Sequence, residues 1–214
     1  MNFKSTQLNP DIIKSAAQEL AASEPVFRII LDNFGPPPLW DRPADFSTLI
    51  YIILEQQVSL ASAKAAFLKL NAHLGTVSPQ VFLELDDKTL KSFGFSHQKT
   101  RYGRIVAESV LDGILDFDAL SHLPDEQVKK TLMSITGIGH WTSDIYLLMC
   151  LLRPDVWPHG DRALAVAALE AFGLNEVPDY DTLRKMAQQW KPWRSVAARL
   201  LWHHYLSTPR KRKS

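Results

Sequence analysis

The chain has 214 residues, 46% of them hydrophobic, with 24 Lys and Arg against 23 Asp and Glu. That length suits one large domain or two small lobes and lets the chain bury about 70% of the surface it would expose unfolded. A single cysteine, Cys150, excludes a disulfide framework and a four-cysteine zinc or iron-sulfur site within the chain. The longest apolar run, Ile145 to Leu152, is far too short to span a membrane.

The elements read as helices from the start. "NPDIIKSAAQELAAS" opens with Asn9 as a cap and Pro10 at the first helical position, and "SEPVFRIILDNFG" repeats the device and stops at Gly35. Pro36 to Pro38 break the chain. From Asp45, "DFSTLIYIILEQQ" reads as a mostly buried helix. "SLASAKAAFLKLNAHLG" follows, its apolar positions Leu60, Ala63, Phe67, Leu70 and Leu74 recurring at three or four until Gly75 ends it. "DDKTLKSFG", "SHQKTRYGRIVAESVLDG" and "PDEQVKKTLMS" each begin with a cap or a proline. "GDRALAVAALEAFG", "DYDTLRKMAQQW" and "PWRSVAARLLWHHYL" bring the total to roughly ten helices. There is no period-two strand, so the expected fold is all-α. MNFKSTQLNPD lacks the apolar core of a signal peptide, which points to an intracellular, soluble protein with no membrane partner.

Charge is unevenly spread. After Asp181 the chain carries nine Lys or Arg and no acid. Arg184, Lys185, Lys191, Arg194, Arg199 and the tail "PRKRK" form a candidate footprint for phosphate or a nuclear address, or else a solvated helix and a frayed end.

"SITGIGHWTSDIY", Ser134 to Tyr146, places Gly137 and Gly139 between a helix over 124–134 and a second over 140–152. A dinucleotide-binding loop would need a strand before the glycines and a third glycine after them; here a helix precedes and Thr142 stands in the third place. The alternative is a hairpin whose bare backbone lets a phosphate approach the N–H groups of Gly137, Ile138 and Gly139 and the positive end of the second helix. Such contact positions a nucleic acid without reading its sequence. A plainer alternative is that the glycines only terminate a helix.

"LMSITGIGHWTSDIYLL" followed by "DVWPHGDRAL" resembles the helix-hairpin-helix DNA glycosylases, and most of all their alkylpurine, or 3-methyladenine, type. "IILEQQVSLASAKAA" upstream and "WKPWRSVAARLLWHHYL" downstream are similar to that family's segments in the same order, so the resemblance runs from about 45 to 207. It implies base excision repair, in which a damaged purine is flipped out of double-stranded DNA and its N-glycosidic bond hydrolysed to leave an abasic site. It also implies two helical lobes with an active-site cleft between them: a central lobe over about 45–152, and a second from 1–44 with 160–214. No metal or organic cofactor enters the chemistry, although a monovalent cation on the hairpin carbonyls near Ile135 to Ile138 is implied as an aid to phosphate binding. A compact monomer without the β-rich N-terminal domain of some members is expected.

Asp161, 22 positions beyond Gly139, falls on the family's catalytic aspartate. A fixed carboxylate stabilises the positive charge that develops on the sugar as the bond breaks. By residue type alone the commoner role for Asp161 is just the cap of the helix after it. Where strand-cutting members of the superfamily have a nucleophilic lysine, two residues after the second glycine, this chain has Trp141, so a monofunctional enzyme is expected. The resemblance also makes Trp141 and Trp202 walls of the base pocket, where a π face attracts an alkylated, cationic purine. Gln57 takes the place of the side chain pushed into the gap left by the flipped nucleotide, or it merely ends a helix beside Gln56. The rival from another class is a hairpin DNA-binding module without chemistry.

Overall fold

The computed structural model describes residues 7–209. Among them are thirteen α-helices, one 3-10 turn and no strand, the all-α class that the missing period-two pattern leads one to expect. No described helix is long and apolar enough to cross a membrane. The chain forms two compact units, one from Arg42–Leu151 and the other from residues 7–41 with 152–209.

The discontinuous unit begins with α1 (Pro10–Ser23) and α2 (Pro25–Phe34). Asn9 accepts the Ile12 N–H at 2.8 Å, and Pro10 takes the first helical place, where a missing N–H is harmless. Ile13, Ala16, Ala17 and Leu20 make one buried face that packs on α2.

The continuous unit is built around α3 (Phe46–Glu55), which is buried almost all round, as a central helix must be. Around it come α4 (Leu60–Leu74), α5 (Pro79–Leu83), α6 (Asp87–Phe93), α7 (His97–Leu111), α8 (Phe117–Ser121), α9 (Asp125–Met133) and α10 (His140–Met149). Helix α7 packs on α3 and α5 at Gly103, where an added Cβ would come within 2.7 Å of the Phe82 ring. Two features depart from the sequence expectations. The five-residue helices α5 and α8 are too short to show a period, and α10 stops at Met149 instead of reaching residue 152. There the Cys150 and Leu151 N–H groups both turn back to the Tyr146 carbonyl, at 2.9 and 3.1 Å, and Leu152 adopts φ +54°.

The chain then returns to the discontinuous unit through α11 (Arg162–Phe172), α12 (Tyr180–Met186), a 3-10 turn (Ala187–Trp190) and α13 (Arg194–Ser207). Helix α13 packs on α11, α2 and α1. Trp190 fills the remaining core: its ring lies 5.1 Å from that of Phe27, 5.4 Å from Trp157 and 6.0 Å from Phe172.

Candidate active site

In the continuous unit, α9, the turn Ser134–Gly139 and α10 form the hairpin that the glycine spacing predicts. The two glycines differ in kind. Gly137 has φ +101°, and a Cβ there would overlap the Tyr102 ring of α7, so both its conformation and its packing demand glycine. Gly139 has extended backbone (φ −104°) as the N-cap of α10 and no atom within 4 Å of where a Cβ would stand. It gives α10 no side-chain cap, so only bare backbone stands before the first turn of the helix. Ile138, between them, donates its N–H to the Ile135 carbonyl at 3.1 Å and buries its side chain, so it braces the turn from inside. Lys129 of α9 meets the buried carboxylate of Asp144 of α10 at 2.8 Å, which ties the two helices together. Trp141 is half-buried on the first turn of α10.

Gln57 stands on the exposed loop between α3 and α4 at φ +56°, a region that non-glycine residues rarely occupy. Helix α4 starts from Ser59, whose Oγ accepts the Ser62 N–H at 3.2 Å. The preceding Gln56 is half-buried, and its Nε2 donates to the Gly137 carbonyl at 3.0 Å and to Thr142 Oγ1 at 2.9 Å.

In the discontinuous unit, Asp161 caps α11, its Oδ1 accepting the Leu164 N–H at 2.9 Å. The same oxygen accepts the indole N–H of Trp202, from α13, at 3.2 Å. Trp202 is 7% exposed, and the ring of Trp40 lies edge-on to it at 6.4 Å. Trp40 sits at φ +49° on the strap between α2 and α3, next to Leu39, whose carbonyl accepts the Arg199 Nε–H at 2.9 Å. Arg199 is fully buried, and this burial pushes its guanidinium down to about 9. The start of α13 also fixes the segment leading to Asp161. Arg194 donates to both carboxylate oxygens of Asp155, at 2.7 and 3.0 Å, and Ser195 Oγ accepts the Val156 N–H at 2.9 Å. His159 and Tyr180 then pack ring against ring at 3.9 Å.

These contacts correct one expectation. Arg194 and Arg199 do not belong to a basic phosphate footprint: one is paired with Asp155 and the other is enclosed. Arg184, Lys185 and Lys191 are exposed, whereas the basic residues of the tail "PRKRK" lie outside the described residues. Gln56, Thr142, Ser195 and Arg194 escape sequence reading because their partners lie 39 to 86 positions away. Arg199 did leave a signal, a lone cation inside the apolar run "SVAARLLW". Among the described residues no three His, Cys, Asp or Glu side chains gather as a metal site.

Residues 50–193 match the model of the HhH-GPD superfamily base excision DNA repair proteins. YfjP of Bacillus subtilis is 34% identical over 182 residues, which cover 81% of this chain and 63% of that relative, so this chain spans less than two thirds of its length. The alkylbase DNA glycosidase-like protein mag2 of Schizosaccharomyces pombe is 29% identical over 196 residues, 88% of this chain and 92% of that one. Among solved structures, that of the 3-methyladenine DNA glycosylase Mag1 of the same yeast, in complex with abasic DNA, superposes with a TM-score of 0.83. It covers 88% of this chain and 95% of its own at 23% identity, a likeness of fold. With the family model matching residues 50–193 of 214, this chain belongs to the HhH-GPD superfamily of base excision DNA repair proteins.

Proposed function

We propose that the protein is a DNA glycosylase that flips alkylated purines of the 3-methyladenine type out of double-stranded DNA and hydrolyses the N-glycosidic bond, leaving an abasic site. The observation that carries this reading is the setting of Asp161. One carboxylate oxygen is held by a helix N-terminal N–H and by the Trp202 indole, so the group has a single orientation before substrate arrives. Such a pre-oriented carboxylate stabilises positive charge on the sugar more than mobile water does. An alkylated purine already carries charge and leaves with little protonation, so one acid is sufficient. Family membership and the names of the relatives support the same substrate class.

The other residues take roles consistent with this chemistry. The turn Gly137–Gly139 presents backbone to a DNA phosphate, with α10 aiming its N-terminus at the charge. The carbonyls of Ile135 and Gly137 each accept one protein hydrogen bond, and the remaining lone pairs suit a monovalent cation. Trp141 offers a π face to a cationic base, and Trp202 holds Asp161 through its indole N–H. Gln57, exposed and set in the left-handed region, fills the space that the base leaves. Tryptophan stands at 141, where strand-cutting members carry their lysine, and Lys129 is engaged by Asp144, so the chemistry is read as hydrolysis without strand cleavage.

The test is base release from a methylated duplex by the wild type and by Asp161→Asn. Release by the wild type that falls at least about a hundredfold in the variant supports the assignment. Equal release by both removes Asp161 from its role, and tight DNA binding with no release by either favours a non-catalytic hairpin module.

A further inference from the structure

The exposed α3–α4 loop and the hairpin are 81 residues apart in the chain, and one side chain joins them. Both amide hydrogens of Gln56 are used, one on the Gly137 carbonyl and one on Thr142 Oγ1, so a single residue touches the hairpin turn and the first turn of α10 together. Thr142 is buried, at 2% exposure, so its hydroxyl is a fixed partner that water does not readily replace. A second tie holds the same α3 end of the loop: the Lys99 amine of α7 donates to the Leu54 carbonyl at 2.6 Å, in the last turn of α3. Immediately after these ties the backbone enters the left-handed region at Gln57, and the loop turns Val58 and Leu60 out to solvent, at 46% and 56% exposure. A non-glycine residue stays in that region only where its surroundings over-determine it, and here the surroundings are the Gln56 and Lys99 ties.

We propose that Gln56 is a positioning residue that makes the α3–α4 loop and the hairpin one rigid grip on duplex DNA, so that capture of a phosphate by the hairpin sets how far Gln57 enters the base stack. It acts through Gly137 and Thr142 and does not touch the reacting base. The physical need is resistance to load. Opening a base step costs a few kcal/mol, and a loop hinged freely at the end of α3 would yield before the stack did. The substrate in this scheme rests on the glycosylase reading, whereas the coupling of loop to hairpin does not.

The experiment uses the full chain and three variants: Gln56→Met, close in shape but without donors, Thr142→Val, and the double substitution. The probe is a duplex with 2-aminopurine beside a non-hydrolysable abasic analogue, whose fluorescence rises when the neighbouring base unstacks, so no bond cleavage is required. Affinity for an undamaged duplex and the melting temperature are measured alongside. Gln56→Met should lose about tenfold or more of the unstacking equilibrium, the scale of its two lost hydrogen bonds, while undamaged-duplex affinity stays within about twofold. Thr142→Val should show a smaller loss of the same kind, and the double variant should be no worse than Gln56→Met. With a methylated duplex, kcat should fall with KM nearly unchanged. An unstacking signal equal to wild type overturns the proposal, as does a loss that only tracks a lowered melting temperature and a parallel loss of undamaged-duplex binding. If Gln56→Met does not fold, an unchanged signal in Thr142→Val overturns it. A wild type that releases no base would sink the glycosylase reading and leave the unstacking test intact.

Discussion

At Asp161 one oxygen atom, Oδ1, serves both as the cap of α11 and as the acceptor for Trp202, so the two readings of this residue are not exclusive. They can be separated by choice of substituent. Asparagine keeps a capping oxygen, and Asp161→Asn should hold the melting free energy within about 0.5 kcal/mol while base release collapses; Asp161→Ala should cost about a further 1 kcal/mol in denaturant unfolding. Cys150 offers a residue-scale test of the interior. Burial pushes its thiol up to about 12, with Asp45 and Glu55 adding to the rise against the opposing charge of Arg42. Because the folded value lies above the unfolded one, about 8.5, its contribution to stability is complete below that lower value and is lost as pH climbs between the two. Iodoacetamide at pH 8 should therefore label native protein at least about a hundredfold more slowly than the same chain in guanidinium, as measured by intact mass; equal rates would place the thiol in water. The capping role of Asp161 was legible in the chain because it needs only the right residue type three positions before its donor. The indole bond was not, since its donor lies 41 residues away on another helix.

Among the elements, the hairpin separates two uses of glycine. Gly137→Ala should destabilise the continuous unit by about 2 kcal/mol or more, since it combines positive φ with an overlap on the Tyr102 ring that the turn cannot relieve. Gly139→Ala meets open space and extended backbone, so its stability cost should be limited to a poorer N-cap, about 1 kcal/mol or less, and its main effect should appear in DNA affinity as a methyl group placed before the phosphate. Equal melting curves for the two variants would contradict this division. The spacing of the pair was enough to read a hairpin. Which glycine is left-handed follows from α7 packing beneath the turn, a contact of residues 102 and 137 that no local pattern encodes. The early end of α10 has a similar origin: the run Ile145 to Leu152 is apolar throughout, so hydropathy continues where the backbone turns away.

For the whole molecule, the absence of a lysine at 141 carries a functional expectation that can be checked on intact protein. Borohydride added during reaction with a methylated duplex should trap no covalent protein–DNA adduct, seen as an unshifted band on a denaturing gel; a trapped adduct would show that another amine, such as Lys99 or Lys130, attacks the sugar. The all-α class, the starts of nearly all long helices and the hairpin turn were determined by the sequence alone. The reason is that capping, proline placement and helical period are satisfied by groups three or four residues apart, within reach of a local reading. Only the tertiary structure decided that Arg194 and Arg199 serve the interior and not a phosphate surface, that Trp202 grips Asp161, and that Gln56 joins the loop to the hairpin. Those choices depend on which helices pack together, because a buried donor takes the acceptor that packing brings to it, wherever that acceptor lies along the chain.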